Sequence, residues 1–123
     1  MTAREIMSRQ FEFVHPDAPI DEVARKMATL DLEPLPVCKD GCLVGLVSQN
    51  EVATRVAPAR SARRPMRVRD VIAPDVVYCF ENTEVNEAAL LMREKRVRLL
   101  PVLSRNNRLV GLLALKDIPA ETK

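Results

Sequence analysis

The chain has 123 residues, 47% of them hydrophobic and 29% charged, with a formal net charge of +2; this length suits a single folded core and this balance is that of a globular protein, with disorder expected at most in the termini and one linker. No apolar run approaches the ~20 residues that a membrane-spanning helix requires, and the opening stretch, with Arg4 and Glu5 near its start, has no secretory h-region. A cytoplasmic protein without a membrane partner is expected.

Along the chain, Phe11 to Val14 alternates aromatic and aliphatic positions and predicts a first strand. Ile20, Val23, Ala24, Met27 and Leu30 follow at helical spacing, behind a Pro19 that a first turn tolerates, and predict an amphipathic helix with Met27 in its core face. Leu35-Pro36-Val37 begins a second strand. Asp40-Gly41 is a type I′ turn signal that pairs Lys39 with Cys42 and Cys38 with Leu43. Period two then sends the sulfurs of Cys38 and Cys42 to opposite faces. With Cys79 the cysteines number three, which argues against a secreted disulfide framework, and no His lies at ligand spacing to make a metal site. His15 carries no assigned role.

After the hairpin comes Gly45-Leu-Val-Ser48-Gln-Asn-Glu51. A glycine inside a strand suits a bulge or a close approach by another group, protein or ligand. Ser48 and Glu51 form a capping box, or else supply a hydroxyl and a carboxylate to a ligand. The stretch from Arg55 to Arg69 holds six basic and no acidic residues, a basic linker by composition and a possible contact for phosphates of a nucleic acid.

The chain then repeats itself. Shifted by 65 positions, Ala3-Arg4-Glu5-Ile6-Met7 matches Val68-Arg69-Asp70-Val71-Ile72, and Leu35-Pro36-Val37 matches Leu100-Pro101-Val102. Leu43-Val44-Gly45-Leu46 recurs as Leu109-Val110-Gly111-Leu112, one residue later because the turn from Ser104 to Arg108 is longer. Val76 to Cys79 predicts the strand of the second copy. Val85, Ala88, Ala89 and Met92 give its helix, with Thr83 as N-cap. The second corner reads Ala114-Leu-Lys116-Asp117, with the carboxylate but no capping hydroxyl, and the tail after it has room for only a short terminal helix. Each copy therefore reads strand, helix, strand, strand, short helix. The expected fold is α+β, two β-α-β-β-α motifs packed with pseudo-two-fold symmetry into one module, with motif 1 at 1–57, a linker at 58–66 and motif 2 at 67–123. No Gly-rich phosphate loop or nucleophile-base pair suggests an enzyme.

The repeated Arg-acidic start, the helix ending before Leu-Pro-Val, the hairpin and the Gly-hydrophobic-hydrophobic-Ser-x-x-acidic corner resemble the CBS (cystathionine β-synthase-type) domain in tandem. The resemblance implies a non-catalytic regulatory module, often a homodimer, that senses AMP, ADP, ATP or S-adenosylmethionine in the cleft between motifs. It places ribose and phosphate contacts on Ser48 and Glu51 in the first copy. In the second copy it places them on Asp117, with Lys116 and Arg98 nearby and Glu33 standing opposite Arg98 in the first. Ile72, Leu100 and Pro101, with the equivalent Leu35 and Pro36, would flank the adenine. No resident cofactor is implied, and the protein target is open. The alternatives are a protein-interaction or dimerisation module with degenerate sites, and nucleic-acid binding through Arg55–Arg69.

Overall fold

The computed structural model describes residues 1–30, 34–49, 66–72 and 76–119. They divide into two compact units: Glu12–Val76, and Met1–Phe11 together with Val77–Lys123.

The unit Glu12–Val76 is built on a helix and a hairpin. Helix α2, Ile20–Leu30, follows the single turn α1, Ala3–Ile6, of the other unit. It buries Ile20, Val23 and Met27 against Leu35, Val37 and Val47, and Asp21 and Glu22 in its first turn complement the positive end of the helix. Strands β1, Leu35–Lys39, and β2, Cys42–Val47, pair antiparallel with Lys39 opposite Cys42 and Cys38 opposite Leu43. Asp40 and Gly41 both have positive φ, 54° and 83°, which is the geometry a type I′ turn demands.

The second unit repeats this plan. Strand β3, Cys79–Phe80, lies parallel to β4, Leu99–Leu103, which pairs antiparallel with β5, Leu109–Ala114. Helix α3, Val85–Lys95, buries Val85, Ala88, Ala89 and Met92. Met27 and Met92 are each 1% exposed, so both are core residues, as helical spacing indicates.

The segment that opens each repeat is built into the compact unit holding the rest of the other repeat. Ala3, fully buried, joins the core of α3 and β4–β5, whereas Val68 and Val71 join the core of α2 and β1–β2. The backbone bonds that dock these segments correspond one to one. Ala3 N–H donates to Thr83 O and Val68 N–H to Ala18 O; Arg4 N–H donates to Glu81 O and Arg69 N–H to Pro16 O. In return Val85 N–H donates to Met1 O and Ile20 N–H to Met66 O.

Some expectations change in detail. The first strands are shorter than the alternation suggested: Val14 makes a single parallel bridge to Val37, and β3 holds only Cys79 and Phe80. Pro16 lacks the N–H that would continue the ladder past Val14. Thr83 is not the cap of α3; Glu84 occupies that position without a side-chain bond, and the Thr83 hydroxyl accepts from Phe80 N–H at 3.0 Å. The first helical N–H is instead satisfied by Met1 O. The longer second turn absorbs its extra residue with Asn107 at φ 62° and with Asn106 and Arg108 N–H both donating to the Ser104 hydroxyl.

Candidate functional site

The repeated glycine corner is where both copies deviate from a regular hairpin. In β1–β2 the register skips between Val37 and Cys38, so that Val37 faces Gly45 while Cys38 faces Leu43. In β4–β5 it skips between Val102 and Leu103, with Val102 facing Gly111 and Leu103 facing Leu109. Each glycine thus follows a bulged valine, Val44 or Val110. A close approach is also present at Gly111: a Cβ built there would lie 2.5 Å from Met7 Sδ and 2.9 Å from Ser8 O. The approaching group is protein. Ser8 N–H donates to Leu112 O at 2.8 Å, and Leu112 N–H returns a bond to Ser8 O at 3.0 Å.

Beyond Gly111, β5 ends in a 3₁₀ turn, Leu115–Asp117. Leu115 N–H donates to Arg98 O at 2.9 Å, and Ala114 pairs with Leu99. The open end of the hairpin therefore brings Arg98, Lys116 and Asp117 to one corner, all with exposed side chains. The ion pairs among the described residues fall elsewhere and leave this carboxylate out. Ala114 supplies no side-chain cap, in keeping with its methyl group. The turn is too short to carry the macrodipole of a longer helix, so the positive charge of this corner comes from the two cationic side chains. Leu100 and Pro101 of β4 are buried beside this corner, with Leu100 fully inaccessible.

The remaining candidates lie in the other unit. Leu35 and Pro36 are buried in β1, Ser48 is half-buried just past β2, and Ile72 packs on the core formed by Val68 and Val71. Ile72 thus belongs to the unit of Leu35 and Ser48, and its repeat equivalent Met7 belongs to the unit of Asp117. The roles of Met7 and Ser8 beside Gly111 were missed in the sequence; the alignment of Met7 with Ile72 was the available signal. Glu51, Glu33, the linker up to Pro65 and the end of the terminal segment lie outside the described residues. Of the basic stretch, Arg67 and Arg69 are described, and both guanidinium groups approach the Asp17 carboxylate.

The cysteines are free thiols. Burial pushes Cys38 and Cys79 up to about 11, with Cys42 adding to the effect on Cys38. Such thiols stay protonated and inert. Among the described residues, no group of three or more His, Cys, Asp or Glu could hold a metal ion, and no helix is long and apolar enough to cross a membrane.

The model of the CBS domain matches residues 3–58 and again 68–119. The chain belongs to the CBS domain family. It carries two CBS motifs in an α+β fold, and its relatives fall into long and short proteins. The chain is 31% identical over 118 residues to inosine-5′-monophosphate dehydrogenase of Thermoplasma acidophilum, covering 96% of itself but 23% of that enzyme. It is 30% identical to the CBS domain-containing protein YhcV of Bacillus subtilis, covering 95% of itself and 82% of that protein. The CBS pair also superposes on solved structures. CBSX2, solved in complex with AMP, has a TM-score of 0.83 at 24% identity, covering 95% of this chain and 92% of that one. Hypoxic Response Protein I, solved with two coordinated zinc ions, has a TM-score of 0.83 at 27% identity and 96% coverage of both chains. The cytosolic domain of the Mg2+ channel MgtE, in complex with ATP, has 0.79 at 28% identity, covering 95% of this chain and 47% of that chain.

Proposed function

We propose that this CBS pair is a non-catalytic regulatory module that binds an adenosine-containing ligand. The observation that carries the reading is the corner at the open end of β4–β5. There the bond from Leu115 N–H to Arg98 O holds two cationic residues, Arg98 and Lys116, at the same corner as the Asp117 carboxylate, which makes no ion pair among the described residues. A carboxylate accepts both hydroxyls of a ribose, and a guanidinium with an ammonium group attracts the phosphates or the carboxylate of the ligand's tail. Likeness to the MgtE domain, solved with ATP, supports the class of ligand. In this reading Leu100 and Pro101 supply apolar surface for the base, and Leu35, Pro36, Ser48 and Glu51 are the equivalent set of the first copy, with Ile72 in the unit of Leu35. Catalysis is not part of the proposal, because the enzymes among the relatives are several times longer than the stretch they share with this chain.

Ligand that binds only the folded state raises stability by RT ln(1 + [L]/Kd), about 2.7 kcal/mol at a hundredfold excess over Kd. Thermal unfolding with AMP, ADP, ATP and S-adenosylmethionine should show a shift of several degrees for at least one of them. Asp117→Ala, at an exposed position, should leave the melting temperature without ligand unchanged and abolish the shift. No shift with any of the four, or an equal shift in the variant, overturns the reading and leaves a protein-interaction module as the account of Ala114 at the capping position.

A further inference from the structure

An open groove of about 290 Å³ runs between the chain at β3 and the outer face of α3. Period two along the strand sets its aromatic wall: Cys79 turns into the core at 4% exposure, while Tyr78 and Phe80 on either side turn outward, 42% and 39% exposed. Their rings stand edge to face, with centroids 5.6 Å apart and an interplanar angle of 86°. Thr83 fixes this corner, since its hydroxyl accepts from Phe80 N–H at 3.0 Å. From the helix come Glu87, Leu90 and Glu94. Their spacing puts them on one face, away from the buried Val85, Ala88, Ala89 and Met92.

The chemistry of this lining favours a cation with apolar parts. Aromatic faces attract cations, and neither Glu87 nor Glu94 takes part in the ion pairs among the described residues. Seven residues of helix separate the two glutamates by roughly 10 Å along the axis, with Leu90 between them. One metal ion cannot bridge carboxylates so far apart, because its oxygen ligands lie within about 2–2.6 Å. A chain with an ammonium group near each end can. The small volume suits such a slender chain better than a ring system, since drug-sized ligands occupy roughly 300–1,000 Å³. The first copy lacks the feature. Moved back by 65 positions, Phe80 becomes His15, Leu90 becomes Arg25, Leu91 becomes Lys26 and Glu94 becomes Thr29, a face that repels cations.

We propose that the groove on α3 is a binding site for a linear aliphatic polyamine. One ammonium group pairs with Glu87 and another with Glu94, the alkyl chain lies along Leu90, and the aromatic pair Tyr78 and Phe80 faces the cation from the strand side. The site is separate from the Asp117 corner, and no residue of that corner takes part.

The test is isothermal titration calorimetry with spermidine, at low salt and without nucleotide. Binding should saturate at one spermidine per chain and weaken as salt is added. Putrescine, too short to span both glutamates, should bind more weakly, and magnesium chloride at the same concentration should not displace spermidine. Glu87→Gln with Glu94→Gln, both exposed positions, should weaken binding about tenfold or more through loss of two charge-assisted bonds. Phe80→Leu, which keeps the apolar bulk and removes the ring, should weaken it about two- to fivefold. Both proteins should keep the far-ultraviolet circular dichroism of the wild type. Asp117→Ala should bind spermidine unchanged, so failure here and failure of the nucleotide reading are distinguishable. The proposal is overturned by the absence of saturable binding, by glutamine variants that bind as the wild type does, or by equal binding of putrescine. No spermidine binding together with a change of sedimentation in Leu90→Asp also overturns it, and gives the groove to a protein contact.

Discussion

Ser8 and Leu112 exchange backbone hydrogen bonds in both directions, at 2.8 and 3.0 Å, and so tie the start of the chain to a strand near its end. The crossing is close because Gly111, one residue before Leu112, has no side chain to hold Met7 away.

Gly111→Ala should therefore destabilise the protein by about 1–3 kcal/mol, the usual cost of forcing extra volume into a packed site. The Met7 side chain can turn aside, but Ser8 O at 2.9 Å from the new Cβ is backbone. Adding Met7→Ala should recover only part of the loss in urea unfolding. Complete recovery would mean that the glycine is required by the methionine alone.

Arg69 and Asp17 pair in one unit, and Arg4 and Glu81 pair in the other at 4.0 Å. In both cases the arginine of an opening segment meets an acid from the loop ahead of a helix. The Asp17 and Arg69 side chains are about half exposed, which limits the coupling to roughly 0.2–1 kcal/mol. A double-mutant cycle on Asp17→Asn and Arg69→Gln should return a value in that range and smaller in 1 M salt. Because Arg67 also reaches Asp17, at 3.9 Å, Asp17→Asn should cost more than Arg69→Gln.

Helix α3 ends on Arg96 in the left-handed region, φ 57° and ψ 42°. A β-carbon is strained there and glycine is not. Arg96→Gly should raise stability by about 0.5–1 kcal/mol, whereas Arg96→Ala, which keeps the β-carbon, should be near neutral. Chemical denaturation of both variants separates the backbone effect from loss of the guanidinium.

Cys38 and Cys79 each titrate at about 11 in the folded protein, against 9.0 for the unperturbed thiol, because burial disfavours the thiolate. Their protons are held more tightly folded than unfolded. The stability they contribute is complete below pH 9 and is lost as the pH rises from about 9 to about 11. Unfolding free energies measured across that interval should fall, and the Cys38→Ser, Cys79→Ser protein should show a flatter decline. With Ellman's reagent at neutral pH, the half-buried Cys42 should react first and the other two at the rate of opening.

What the sequence disclosed was whatever one copy settles within its own few turns. The stripes of α2 and α3 name their buried faces, because a helix that buries one side must space its apolar residues by the helical turn. Asp40-Gly41 names its turn, since few residues accept two successive positive φ angles. The glycine corner was legible as a bulge or an approach: both copies carry the bulge, and Gly111 carries the approach as well. The partnership of Met7 with Gly111 was not legible, because contacts between distant residues leave no period in the chain. Thr83 misled for a related reason: its hydroxyl suits a helix cap, but the bond that satisfies the helix comes from Met1. At the candidate site, the sequence singled out Asp117, Lys116 and Arg98, and the hairpin gathers them because Arg98 precedes one strand and Lys116 follows the other. Ile72, which the resemblance sets near Leu100 and Pro101, lies in the unit of Leu35, because the segment opening each repeat is built into the unit that holds the rest of the other.

The exchange of those opening segments has a consequence for how the protein is made. The unit Glu12–Val76 is continuous in sequence and can close while the rest of the chain is still on the ribosome. The other unit cannot, because Ala3 and Ser8 find their partners more than seventy and more than a hundred positions later. Until β5 emerges, Met1–Phe11 awaits its dock, and that unit assembles only once Leu112 has been made, after the slow search that such distant contacts impose.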